Sequence, residues 1–78
     1  MKQRLKLIFP QHLIKEPVIF TMAKKYTVMP NIRYAKVTET GGEMLLELEG
    51  EEKNLRDSLE SLRNQGITVE LEDGDFIR

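Results

Sequence analysis

Few residues of this chain have the chemistry for a reaction. His12 is its single imidazole. No serine or cysteine stands near it in sequence, so it reads as a surface-loop side chain rather than the base of a nucleophile. Glu72, Asp73 and Asp75 cluster carboxylates without the spacing of an EF-hand loop, and read as a solvated chain end. Gly41-Gly42-Glu43 lacks the lysine and the Ser or Thr of a phosphate-binding loop. With no cysteine, the chain can form neither a disulfide nor a thiolate-bound metal or iron–sulfur site. The expectation is no enzyme activity, no catalytic residue, no metal and no cofactor held by these residues.

Binding chemistry is better represented. Met22, Met29 and Met44 could make a soft apolar pocket, because methionine reshapes around its neighbours. Met22 and Met44 fall on buried stripes and read as core filling. Met29 stands apart, in the stretch "TVMPNI", next to Pro30, Asn31 and Ile32. An apolar side chain beside an amide suits a small amphiphilic ligand such as an amino acid. Plain turn chemistry is the competing reading, since asparagine commonly bonds its own backbone in turns.

The elements that must position these residues follow from periodicity. "RLKLIF" alternates Leu5, Leu7 and Phe9 against Arg4, Lys6 and Ile8, which predicts a strand ended by Pro10. Pro17 opens a helix on which Val18, Met22 and Tyr26 share a stripe, with Ile19 and Ala23 beside them and Lys24 and Lys25 at the end. "NIRYAKVTE" predicts a second strand, and the glycine pair 41–42 a tight turn into "EMLLELE". There Met44, Leu46 and Leu48 share one face, and Leu45, Glu47 and Glu49 the other. The next segment puts Leu55, Leu59 and Leu62 on one helical stripe and stops at Gly66. A last strand, "ITVELED", turns Ile67, Val69 and Leu71 inward.

The order βαββαβ predicts an α+β, ferredoxin-like sandwich: four antiparallel strands with both helices on one face, and the first strand between the third and fourth. Seventy-eight residues allow one domain, 1–78, with a thin margin of stability that dimerisation would supplement. The net charge is −1, yet residues 1–36 hold eight Lys and Arg against one acid, while the rest holds four against twelve. The sandwich uses that asymmetry, setting Arg4 and Lys6 on the open face between Glu47 and Glu49 on one side and Glu70 and Glu72 on the other. Tyr34 is the single stacking aromatic of that carboxylate-rich face, which argues against nucleic acid. No apolar run is long enough to span a membrane and no secretory signal is present, so the expected location is cytoplasmic.

From Arg4 to Leu71 the sequence resembles the NIL domain. The Asn-Ile-Leu-like motif of that family is matched at Asn31 and Ile32 of "PNIRYAKV", with Arg33 where the motif is apolar. The resemblance implies a ferredoxin-like fold akin to ACT domains. In methionine-import ABC ATPases the domain is C-terminal and regulatory, dimerises and binds methionine, and the motif asparagine lies in the binding region. In a second setting it precedes paired 4Fe–4S ferredoxin motifs in proteins of sulfur assimilation and homocysteine synthesis. "FPQHLIKEPVI", "VMPNIRYAKVTE" and the ending "EDGDFIR" look closer to that group, whose clusters would belong to a longer parent protein. The abrupt stop at Arg78 fits an excised domain better than a free-standing one.

The resemblance implies a domain that senses methionine or a related sulfur amino acid. Asn31 would bond the polar head, Met29 and Ile32 would line the apolar end next to Pro30, and a second subunit would close the site. The alternative is a ligand-free interaction module that docks a ferredoxin or thiolation partner through the open sheet face or the acidic C-terminal region.

Overall fold

Alternation builds the central strand. In the structure, a computed structural model that describes residues 1–72, strand β1 (Lys2–Pro10) buries Gln3, Leu5, Leu7 and Phe9 and turns Lys2, Arg4 and Ile8 to water. A single 3-10 turn (Gln11–Leu13) follows, which the sequence pattern did not reveal. Helix α1 (Val18–Tyr26) buries Val18 and Met22, and Pro17 sits just ahead of it as the cap residue. Strands β2 (Met29–Thr38) and β3 (Gly41–Glu49) form a hairpin, helix α2 (Glu52–Asn64) buries Leu55, Leu59 and Leu62, and β4 (Thr68–Leu71) completes the sheet.

All strand pairs are antiparallel and their order is β2-β3-β1-β4, as the predicted sandwich requires. Leu5, Leu7 and Phe9, with Leu46 and Leu48, meet Val18, Met22, Leu55, Leu59 and Leu62 of the helices in one core, joined by Val28 and Ile67. The helices therefore cover one face of the sheet. Helix α2 ends in a Schellman motif: Gly66, at φ +93°, donates its N–H to Arg63 O, and the Ile67 N–H reaches Leu62 O at 3.1 Å. Ile67 and Leu62 are both buried, so the apolar contact that usually accompanies this motif locks the chain into β4.

On the open face the basic residues of β1 lie among acids, as expected, with a register that assigns each pair. Arg4 is opposite Glu47, and its Nε donates to Glu47 Oε2 at 3.2 Å. Lys6 lies between Leu45 and Glu70, and its ammonium reaches Glu43 at 3.8 Å. Glu49 falls outside the expected cluster because the register sets it opposite Lys2.

Three local expectations are corrected. The hairpin turn is Glu39–Thr40, and Gly41 already belongs to β3. Thr38 Oγ1 closes the turn by donating to Gly41 O at 3.0 Å. A Cβ at Gly41 would collide with the carbonyl oxygen of Phe9, so this glycine serves close strand approach rather than turn geometry. Strand β2 starts at Met29, ahead of the expected Asn31, and takes in Pro30; the turn before it is Thr27, at φ 56°, and Val28. Proline is tolerated there because β2 is an edge strand and need not use every N–H. Leu71 faces inward opposite Leu5 but stays 40% exposed, since β4 is a short edge with nothing beyond it. The segment 73–78, including Asp73 and Asp75, lies outside the described residues.

Candidate functional site

The four residues singled out as a ligand site, Met29, Pro30, Asn31 and Ile32, open the edge strand β2. Residues opposite one another in an antiparallel pair share a face. Met29 and Asn31 lie opposite Glu49 and Glu47 and so project on the open face. Pro30 and Ile32 lie opposite Leu48 and Leu46 and project on the helix-covered face. A strand alternates sides at every residue, so the stretch is split and does not form a single pocket. Met29 is 67% exposed and lines a shallow recess with Lys24, Thr27 and Glu49 at the end of α1. Ile32 is half exposed. The Asn31 amide is exposed and has no hydrogen-bond partner among the described residues.

Two residues that sequence reasoning did not assign to the site surround Asn31. The register steps from Ile32↔Leu46 to Tyr34↔Leu45, which makes Arg33 the extra residue of a β-bulge. Alternation from Ile32 aims Arg33 at the open face, and the extra residue lets Tyr34, opposite Leu45, face that side as well. On that face the Arg33 guanidinium stands 3.7 Å from Glu47 Oε2. Glu47 is 7% exposed and lies between Arg4 and Arg33. A carboxylate so covered is stable only with charged partners, and this one has two. Arg4, Arg33, Leu45 and Glu72 outline an open-face depression of about 540 Å³, whose lining does not include Asn31. The signal in the sequence was Arg33 itself, a charge in place of an apolar residue, but its partner Glu47 is fixed only by the pairing of β2 with β3. Glu47 is too buried to serve as a leading contact for a docked partner.

A second concavity lies at the far end of β2. It is a groove of about 220 Å³ between the first turn of α1 and the ends of β2 and β3, walled by Phe9, Val18, Phe20, Val37 and Met44. Glu16, Lys36 and Glu43 are also on its boundary. Among the described residues no cluster of His, Asp and Glu could hold a metal ion, and no helix is long and apolar enough to cross a membrane.

A four-stranded antiparallel sheet with two helices on one face, in the order βαββαβ, defines an α+β domain of the ferredoxin-like class. The sequence profile of the NIL domain family matches residues 3–71, and the chain belongs to that family. Among solved structures, the C-terminal domain of an ABC transporter ATP-binding protein from Enterococcus faecalis is similar, with a TM-score of 0.78 and 24% identity over 94% of this chain and 86% of that one. Two designed proteins share the architecture. Foldit4 has a TM-score of 0.59 and 7% identity, covering 95% of this chain and 97% of its own. Ferredog-Diesel has a TM-score of 0.51 and 12% identity, covering 94% of this chain and 85% of its own. Among curated proteins none matches the chain significantly.

Proposed function

We infer that this chain is a non-enzymatic regulatory or accessory domain that senses methionine or a related sulfur amino acid. The observation that carries the reading is the Asn31 amide, unpartnered on an exposed edge strand in a member of the NIL family. Met29, two residues away on the same face, offers an apolar neighbour for the ligand's side chain. Arg33, beside Asn31, can add a cation for the ligand's carboxylate. Pro30 and Ile32 act from the other side of the strand, where they shape the edge that a second copy would cover. Regulation of an ABC transporter ATPase is the setting this reading favours, because the similar Enterococcus faecalis structure is the C-terminal domain of an ABC transporter ATP-binding protein. A cytoplasmic location and a homodimer go with it, and no cofactor is required.

Calorimetry with methionine tests the reading. Removing one buried hydrogen bond to the ligand costs about 1–3 kcal/mol, so Asn31→Ala should weaken binding by roughly ten- to a hundredfold. Absence of heat with the wild-type chain at millimolar methionine would sink it.

A further inference from the structure

We propose that the edge of β2 past its bulge, residues 34–38, docks an extended acidic segment of another protein, which adds a strand to the sheet there. Strand β2 is the end of the sheet, and among the described residues no backbone group outside the β3 ladder bonds to it. Alternate N–H and C=O groups along such an edge point away from the sheet and offer themselves to a further strand. The bulge at Arg33 divides this edge in two, because it bends the strand and interrupts pairing. The half before it, residues 29–32, is the part that a second copy would cover in the reading above. The half after it does not depend on Asn31.

The side chains of this half decide the chemistry of the partner. Tyr34, Lys36 and Thr38 lie opposite Leu45, Glu43 and Gly41 and project on the open face, while Ala35 and Val37 project on the helix-covered face. Glu43 is engaged by the Lys6 ammonium at 3.8 Å, and Lys36 makes no ion pair among the described residues. Strand β2 carries two cations, Arg33 and Lys36, and no acid. A strand added at roughly 4.8 Å is therefore stabilised by an acid opposite Lys36. The residues flanking that acid turn to the other face, beside Ala35 and Val37. There Val37 and Phe20, 71% and 70% exposed, wall the apolar groove, and apolar side chains of the added strand would shield them from water. The occupant is thus an extended run in which acids alternate with apolar residues. A second copy of β2 would bring two more cations and no acid to this edge, so the partner is a different sequence.

NMR titration of the full chain with blocked five-residue peptides tests this. The probe has aspartate at its odd positions and valine at its even ones; the control has lysine in place of aspartate. The amide signals of residues 34–38 and the methyl signals of Val37 should shift with the probe, and several-fold more weakly with the control. Lys36→Glu, at an exposed position, should reverse that preference, and Lys36→Gln, which adds no repulsion with Glu43, should abolish it. An added strand bonds through one of its two edges only, so N-methylation of the probe at alternate positions separates strand pairing from loose charge contact. Methyl groups on the bonding edge should weaken binding about tenfold, and those on the other edge should leave it unchanged. Equal shifts with both peptides, or indifference to N-methylation on either edge, would overturn the proposal. Shifts confined to the opposite edge of the sheet, Thr68–Leu71, would do the same. So would shifts at residues 34–38 that follow protein concentration with no peptide present, because a second copy would then be the occupant.

Discussion

Two adjacent glycines in β3 make opposite demands, and alanine at each gives a paired test of the structure. At Gly41 a Cβ would stand well inside 3.0 Å of the Phe9 carbonyl oxygen, a backbone atom that cannot swing away. Gly41 pairs with Pro10 at the end of the β1–β3 ladder, so relief means pulling two strand ends apart. Forced overpacking of this kind costs about 1–3 kcal/mol, and the gain of alanine over glycine in chain entropy returns about 0.5–1 kcal/mol. A net loss of about 1–2 kcal/mol lowers Tm by about 4–16 °C for a domain this small. At Gly42 the nearest atoms to a Cβ are Lys36 O at 3.5 Å, Ile14 Cγ1 at 3.8 Å and Phe9 Cβ at 3.9 Å, all ordinary contacts. Gly42→Ala should therefore raise Tm by about 2–8 °C, from the entropy term with nothing opposing it. Thermal unfolding followed by circular dichroism separates the two variants. Equal losses in both, or an unchanged Gly41→Ala, would refute the close approach of β1 and β3.

Further perturbations follow from the same geometry. Glu47→Gln keeps the shape of the side chain and removes the charge shared by Arg4 and Arg33. A double-mutant cycle with Arg33→Met should show coupling of about 0.2–1 kcal/mol, small because the arginines are 54% and 61% exposed. Zero coupling in low salt would mean that the bulge, and not the charge, holds Arg33 where it is. Thr27 adopts φ 56° at the end of α1, a conformation that costs a β-branched residue about 1–2 kcal/mol. Thr27→Gly should stabilise the domain by about 1 kcal/mol after its own entropy cost, read from urea midpoints at constant m. A lower midpoint would show that the threonine side chain makes a compensating contact.

The sequence by itself determined the element order, and with it the architecture. Period-two alternation in β1 and the Leu55, Leu59, Leu62 stripe of α2 are local signals, and burying both on one core leaves few arrangements of βαββαβ. Gly66 marked the end of α2 because only a residue free of a Cβ sits easily at its φ of +93°. The family could also be read from the chain, since "PNIRYAKV" carries the motif in the order the strand presents it. The site was legible only as a list of neighbours. Met29, Pro30, Asn31 and Ile32 are adjacent in sequence, but strand geometry sends adjacent side chains to opposite faces, and only pairing with β3 says which goes where. The bulge at Arg33 and the burial of Glu47 depend on register between β2 and β3, which no residue states alone. Tertiary structure likewise decided that Gly41 marks a close approach and not a turn, because the atom that excludes a Cβ belongs to Phe9, a residue of another strand. The groove beside Val37 has the same origin: its walls come from β1, α1, β2 and β3, and only the folded chain brings them together.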